Sequence, residues 1–268
     1  MAYLLYGILK DPATIHNSGD AIRISAKSGH VPGVMGVKGN PVIFVKDLGL
    51  CAAVSELDVE KGAPSVAELL AYARVVEALH CRQVIVPMRY GCFLNGSQAI
   101  RDVMKAGQQQ FERLLEELEG HVEMGIRILL PEKERKPRQG ETMSGQGALS
   151  FLPNEKSAIN GRAYLALRKV HYQRQEKTSQ VRQALIDRHI QAFSGLYAKH
   201  RTETDEKRDA VILSLYFLTP KSTVNRFRQI FKDVREKENA EAMLSGPWPP
   251  YNFVSIDPGK TGDMTPFR

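Results

Sequence analysis

The sequence predicts an α+β fold in two domains, with helices on one face of a sheet in the first and a long basic helix in the second. The chain has 268 residues, enough for two domains of typical size. Short apolar runs typical of strands alternate with segments of helical periodicity. Residues 131–160 lack either period and predict a linker between domains at residues 1–130 and 161–268.

The first domain begins with three predicted strands. Residues 3–9, 42–48 and 50–57 are short runs rich in Val, Ile, Leu and aromatic side chains. Gly49 separates the last two runs and predicts a hairpin. Residues 11–40 are rich in glycine and predict a loop.

A capping box marks the start of the first helix. The Ser65 hydroxyl and the Glu68 carboxylate have the spacing that satisfies free amide groups at a helix start. The helix is predicted to run to about His80. A short buried strand at residues 84–86 follows and ends at Pro87.

One apolar stripe with helical spacing covers residues 97–119. The favoured interpretation is a helix packed on the sheet. A partner helix is the alternative, and it is less favoured because the stripe is interrupted at Gly107. Residues 122–130 alternate apolar and polar side chains and predict a half-buried strand that completes the first domain.

The second domain is predicted from fewer signals. Apolar positions over residues 181–193 indicate a helix, and residues 211–218 indicate a buried strand. A further helix begins at Pro220, where a missing amide hydrogen costs nothing, and runs to about Lys237. Residues 242–244 and 252–256 are predicted to be extended on either side of a proline cluster.

The composition is that of an ordinary globular protein, with 25% charged and 43% hydrophobic residues. Long disorder and fibrous repeats are therefore excluded. No apolar run approaches the roughly 20 residues of a membrane span, and the first apolar run lacks the flanking signals of a signal peptide. Three cysteines without a close pair predict a reducing, cytoplasmic location rather than a disulfide framework.

The formal net charge of +7 is concentrated in one part of the chain. Residues 161–201 carry nine basic and two acidic side chains, and the rest of the chain is close to neutral. A solvated helical face is one interpretation, and a docking surface for phosphates or for an acidic protein is the other. The docking hypothesis assigns partner binding to Arg162, Arg168, Lys169, Arg174, Lys177, Arg182 and Arg188.

Sequence patterns for catalysis, metal binding and cofactor binding are missing. Gly259 to Thr261 resembles the end of a phosphate-binding loop, but the first glycine of that motif is replaced by Val254. No C-x-x-C or H-E-x-x-H spacing supports a metal site. His80 and Cys81 are adjacent at a helix end, where a structural role is the commoner one. We therefore predict no catalytic residue and no cofactor.

Two local motifs are unusual for a generic core. Residues 85–93 (IVPMRYGCF) place a proline and a glycine around a sharp turn. Residues 244–253 (LSGPWPPYNF) are stiff because each residue before a proline is restricted to extended geometry. This second motif contains Trp248, the only tryptophan of the chain. It is interpreted either as a rigid clamp on the second domain or as a proline-rich ligand for another protein.

With these motifs in place, the chain resembles the gas vesicle protein F/L family (GvpF/GvpL) over nearly its whole length. The resemblance includes YGI at residues 6–8, LCAAVSE at 50–56, AYARVVEALH at 71–80, VPMRYG at 86–91, Glu123, GRAYL at 161–165 and SGPWPPYNFV at 245–254. Departures are mild: Tyr90 stands where the family usually has Phe, and Cys92 where Thr is common.

The resemblance implies a non-enzymatic accessory protein of gas vesicles, a minor structural component or assembly factor acting with the shell protein GvpA. It also implies two α+β domains, the first a modified ferredoxin-like layer. No nucleic-acid or membrane partner is expected, although a nucleic-acid-binding module using residues 161–201 is the alternative function. The family motif residues, with a structural or partner-binding role, are Pro87, Arg89, Tyr90, Gly91, Gly246, Pro247, Trp248, Pro249, Pro250 and Tyr251.

Overall fold

The computed structural model describes residues 2–11, 30–58, 63–131, 179–207, 210–237 and 241–255. The described chain forms two antiparallel sheets and five α-helices, which confirms the α+β class. The first sheet contains β1 (Ala2–Lys10), β2 (His30–Met35), β3 (Pro41–Asp47), β4 (Leu50–Leu57), β5 (Ile85–Pro87) and β6 (Phe93–Asn95). Its helices are α1 (Val66–Arg82), α2 (Gly96–Ala106) and α3 (Gln108–Leu118).

The second sheet contains the other four strands of the described chain. They are β7 (His121–Pro131), β8 (Lys199–Lys207), β9 (Ala210–Pro220) and β10 (Glu241–Trp248). Its helices are α4, described over residues 179–192, and α5 (Val224–Lys237). The strand order is β10-β7-β9-β8, so β7 and β9 are central, and β10 and β8 form the two edges.

Strand β1 is the centre of the first sheet, which has the order β2-β3-β4-β1-β5 with β6 also paired to β1. The expected single helical face is wrong, because β1 is buried on both sides. Leu4 and Tyr6 belong to a core cluster that includes α1. Leu5 and Ile8 belong to a different cluster that includes α2 and α3. A strand whose side chains are apolar on both faces needs a cover on each face.

A bulge in β1 shifts the alternation of its side chains, so that Leu5 and Ile8 share one face while Tyr6 and Leu9 share the other. The register against β4 shifts between Leu5 and Gly7, which makes Tyr6 one extra residue. Tyr6 donates a hydrogen bond to Ser55 Oγ at 3.1 Å and accepts one from the Val37 amide at 3.0 Å. Gly7 is required beside it, because a Cβ at this position would lie 2.5 Å from Ile85 Cδ1.

Local signals in the first sheet are confirmed. Strands β3 and β4 form the predicted hairpin, and its turn residues Leu48 and Gly49 both have positive φ, 51° and 74°. Ser65 caps α1 with the reciprocal bonds of a capping box, since its amide donates to Glu68 Oε2 at 2.8 Å and its Oγ accepts from the Glu68 amide at 3.2 Å.

The apolar stripe over residues 97–119 forms two helices rather than one. Gly107 separates α2 from α3, and the Phe111 ring packs so closely on it that a Cβ would lie 2.6 Å from the ring. Ile100, Met104 and Leu115 are buried in the core of the first sheet, so the sheet-packing interpretation is confirmed.

Strand β7 belongs to the second sheet, not to the first as expected. It pairs with β9 over its full length and with β10 on its other side. The alternating pattern of residues 122–130 shows that one face is buried, but it carries no information about the partner strand. The division into domains at residues 130 and 161 stays a prediction.

Helices α4 and α5 cover the inner face of the second sheet. Phe193 and Phe227 stack with ring centroids 4.2 Å apart, and Phe217 of β9 lies 5.3 Å from Phe227. The outer face is more polar, and Tyr216 there donates to Glu203 at 3.5 Å. Strands β2, β6 and β8 were not predicted. Strand β8, KHRTETDEK, has no apolar side chain to reveal it.

We expect Gly7→Ala to destabilise the protein by about 1–3 kcal/mol, the usual cost of overpacking. The new methyl group would meet Ile85 Cδ1 at 2.5 Å and the Val86 carbonyl oxygen at 2.7 Å. Urea unfolding measures the change. In the double variant with Ile85→Val, which removes the Cδ1 contact, the loss should be smaller than the sum of the single losses. Additive losses would show that the contact with Ile85 Cδ1 is not the cause of the destabilisation.

Candidate functional site

The first sequence motif forms a buried turn at the end of β5. Pro87 is buried and pairs with Gly7 of β1, and the Met88 amide then donates to the Tyr6 carbonyl at 3.0 Å. Gly91 adopts φ 102°, a conformation that favours glycine. The chain then returns to β1, where the Leu5 amide donates to the Cys92 carbonyl at 2.9 Å. Arg89 is exposed at the tip of this turn.

A cluster of tyrosines supports the turn from α1. The Tyr72 hydroxyl lies 2.9 Å from the Leu5 carbonyl oxygen and 2.8 Å from that of Met88, and it serves both acceptors. The Tyr72 ring stacks on Tyr6 at 4.9 Å and meets the edge of Tyr90 at 5.3 Å. Burial raises the pKa of Tyr72 well above its usual value, so this hydroxyl stays protonated as a donor.

The second motif ends β10 and crosses to the first sheet. Gly246 has φ 102°, and a Cβ there would lie 2.6 Å from the Glu123 carbonyl oxygen, so β10 approaches β7 closely at a glycine. Pro249 and Pro250 are buried. Residues expected to be extended form a single 3-10 turn instead, Tyr251–Phe253, because the Phe253 amide bonds the Pro250 carbonyl at 3.2 Å.

Glu123 of β7 holds this turn in place. Its side chain is only 5% exposed, and it accepts hydrogen bonds from the Asn252 amide at 2.9 Å and from Asn252 Nδ2 at 2.7 Å. Burial raises the pKa of the Glu123 carboxyl, while the bonds from Asn252 and the charge of Arg89 act in the opposite direction. The Glu123 carboxylate therefore anchors the second motif to β7.

Residues 249–255, which we call the strap, connect the two sheets. Tyr251 packs on the core cluster of α1, and Val254 packs on the cluster of α2 and α3. Gln110 Nε2 of α3 donates to the Ser255 carbonyl at 2.6 Å, and Arg201 of β8 donates to the Asn252 carbonyl at 3.3 Å. An ion pair of 2.7 Å between Lys199 and Glu117 joins β8 to α3 beside the strap.

Comparison with known proteins identifies the family. The family model described as "Gas vesicle synthesis protein GvpL/GvpF" matches residues 2–255. The chain belongs to this family. It is 23% identical to gas vesicle protein F1 of Halobacterium salinarum over 231 residues, which cover 84% of this chain and 87% of that protein. It is also 23% identical to gas vesicle protein L of a Streptomyces species over 194 residues, covering 69% and 68% of the two chains.

Solved GvpF structures have the same fold. The crystal structure of GvpF from Anabaena sp. PCC7120 matches with a TM-score of 0.68 at 17% identity, covering 96% of this chain and 97% of that one. GvpF from Microcystis aeruginosa matches with a TM-score of 0.69 at 16% identity, covering 95% and 99%. The family assignment supports an accessory role in gas vesicles. Over the described residues, no helix combines the length and apolar character that crossing a membrane requires.

The predicted basic docking residues fall mostly outside the described chain. Arg162, Arg168, Lys169, Arg174 and Lys177 lie there. Arg182 belongs to α4, where its Nη1 forms a 2.6 Å ion pair with Glu206 of β8, and its side chain is only 22% exposed. Arg182 thus fastens α4 to the sheet edge, while Arg188 lies exposed on the same helix. Partner binding by this set stays a prediction.

A second group of cations on α5 was missed by the sequence analysis. Residues 221–237 carry six basic and two acidic side chains, and all six basic side chains are exposed. The basic residues are Lys221, Arg226, Arg228, Lys232, Arg235 and Lys237. They were overlooked because the chain outside residues 161–201 is close to neutral as a whole, since acidic side chains such as those of β8 offset them. A shorter window matched to one helix reveals them.

The candidate nucleophiles and bases are packed or isolated rather than assembled. Burial lowers the pKa of His80 to about 4, and the positive charge of Lys221 lowers it further. Among the described residues, neither ring nitrogen of His80 has a hydrogen-bond partner. Cys51 and Cys92 are buried, and burial raises the pKa of both thiols. Within the described ranges, no group of three His, Cys, Asp or Glu residues could hold a metal ion.

We expect the stability difference between the wild type and Glu123→Gln to depend on pH. Because burial raises the folded pKa of this carboxyl, its contribution is fully present below its ordinary value of 4.5 and is lost as the pH rises through the raised value. The wild type should therefore lose stability relative to Glu123→Gln as the pH rises above 4.5, by at most about 1.4 kcal/mol per pH unit.

Urea unfolding of both proteins across this pH range measures the difference. Glu116→Gln, which removes an exposed carboxylate from α3, is the matched control. A pH-independent difference between the wild type and Glu123→Gln would show that Glu123 is charged equally readily in the folded and unfolded chains.

Proposed function

We propose that this chain is a non-enzymatic accessory protein that binds the gas vesicle shell protein GvpA during vesicle formation, as a minor structural component or an assembly factor. The observation that carries the proposal is the match of the GvpL/GvpF family model to residues 2–255. It covers both sheets and the strap, so the whole described architecture is that of the family.

The physical need for such a protein follows from the nature of the shell. A shell that keeps gas inside must present apolar surface, and monomers with exposed apolar surface aggregate unless another protein covers them. An accessory protein that binds the monomer or the growing edge satisfies this need without any chemical step.

Two features of the chain would make the contact. The basic residues of segment 161–201 would attract acidic side chains of the partner, and such attraction speeds encounter more than it adds to affinity. Trp248 would supply the apolar contact. It is 45% exposed although its neighbours Pro249 and Pro250 are buried, so the strap holds an indole at the surface. Tryptophan is enriched at the centres of protein interfaces.

We expect the triple variant Arg168→Glu, Lys169→Glu and Arg174→Glu to capture less GvpA in a pull-down while the fold stays intact. Wild-type capture should also weaken with added salt, because exposed charges are screened beyond about 8 Å at physiological ionic strength. The matched control reverses Arg101, Lys105 and Arg113 of α2 and α3, which changes the net charge equally. Equal capture by the two triple variants would contradict docking through segment 161–201.

We expect Trp248→Ala to cost about 1 kcal/mol of stability, well below the 3–5 typical of a buried aromatic side chain. Its ring is nearly half exposed, and the strap is held mainly by Glu123 and its neighbours. The same change should clearly reduce GvpA capture. Urea unfolding and the pull-down test the two effects separately. A loss of several kcal/mol with unchanged capture would assign Trp248 to the clamp instead.

A further inference from the structure

The two edges of the second sheet are protected to different degrees. Strand β8, at one edge, carries exposed charges at Lys199, Arg201, Glu203, Asp205 and Glu206. Charged side chains of this kind keep foreign strands from pairing with an edge. Strand β10 forms the other edge. Its single charged residue is the first one, Glu241. Within the described chain, no strand pairs with the outer side of β10.

A row of exposed side chains along the unprotected edge is mostly apolar, and its charged members are Glu241 and Arg127, which lies opposite Met243. Met243 is 63% exposed, Trp248 45% and Leu129 of the neighbouring strand 36%. Leu129 lies opposite Glu241, two residues from Met243, and Trp248 lies opposite Glu123, so the register places all three on the outer face of the sheet. A strand added at β10 would bring its own side chains against this row.

The other face of the added strand would lie on the side of the sheet that α5 covers. Helix α5 packs on β10, and its segment, residues 221–237, has four more basic than acidic side chains. Arg228, Lys232 and Arg235 follow each other at helical spacing, and all three are exposed. Acidic side chains on the alternate positions of the added strand would be attracted to this helix.

This charge decides between two occupants of the edge. If β10 of a second copy paired with it, two basic α5 helices would come together and repel each other. An extended segment of another protein, with apolar side chains on one face and acidic ones on the other, meets attraction on both of its faces. It also satisfies the main-chain groups of β10, which is how strand addition gains affinity.

We propose that β10 binds a strand of a partner protein by strand addition, with apolar side chains on the Met243 row and acidic side chains towards α5. Resting on the proposed function, the inference takes this strand to come from the shell protein. It concerns a surface separate from segment 161–201, and therefore makes a separate prediction.

The test uses the full chain co-expressed with the shell protein and purified as a complex. Met243→Lys places a charge on the edge, and we expect at least a tenfold loss of captured shell protein. Thr202→Lys makes the same charge change at an exposed position of the protected edge, β8, and should retain capture. Both variants should melt at the wild-type temperature. In the wild-type complex, amide hydrogen exchange should slow at alternate residues of 241–245.

The outcomes separate this inference from the proposed function. Capture by the wild type and by Met243→Lys alike, with unprotected β10 amides, overturns strand addition and leaves the proposed function standing. No capture by the wild type at any salt concentration overturns both. Dimerisation of the purified chain that Met243→Lys abolishes would show that a second copy occupies the edge, which also overturns the inference.

Discussion

The contact between Glu123 and Asn252 is the constraint on which the arrangement of the two sheets depends. A carboxylate buried to 95% is costly unless its oxygens are satisfied, and Asn252 satisfies both with a main-chain and a side-chain donor. These bonds fix the turn at residues 251–253, which in turn directs Tyr251 and Val254 into two different cores of the first sheet. One polar contact therefore positions apolar packing on both sides of a sheet.

The first sheet can accept the strap only because β1 is covered on both faces. Tyr6, at the bulge, stacks on Tyr72 of α1, and the Tyr72 hydroxyl links β1 to the turn after β5. The strap reaches this tyrosine cluster directly, since Tyr251 packs on the same core cluster as Tyr6, Tyr72 and Tyr90. The two sequence motifs, more than 150 residues apart, meet at this cluster.

Local interactions were predictable from the sequence, and pairing between distant segments was not. The hairpin at Gly49 and the capping box at Ser65 each depend on a few neighbouring residues, so their patterns are complete in the sequence. Strand β7 depends on partners about 90 and 120 residues away, and its alternation fits either sheet. Strand β8 owes its conformation to β9, because its own side chains are nearly all charged or polar.

The site shows the same division. The prolines and glycines of the two motifs predicted stiff turns, but the pattern of β7 gave Glu123 no role, and only the family resemblance singled it out. Trp248 illustrates the limit most clearly. A tryptophan between prolines fits a buried clamp equally well, and only the positions of Pro249, Pro250 and Tyr251 show that the chain buries the residues after it and leaves the indole at the surface. The strap therefore both joins the sheets and sets Trp248 at the end of an open strand edge.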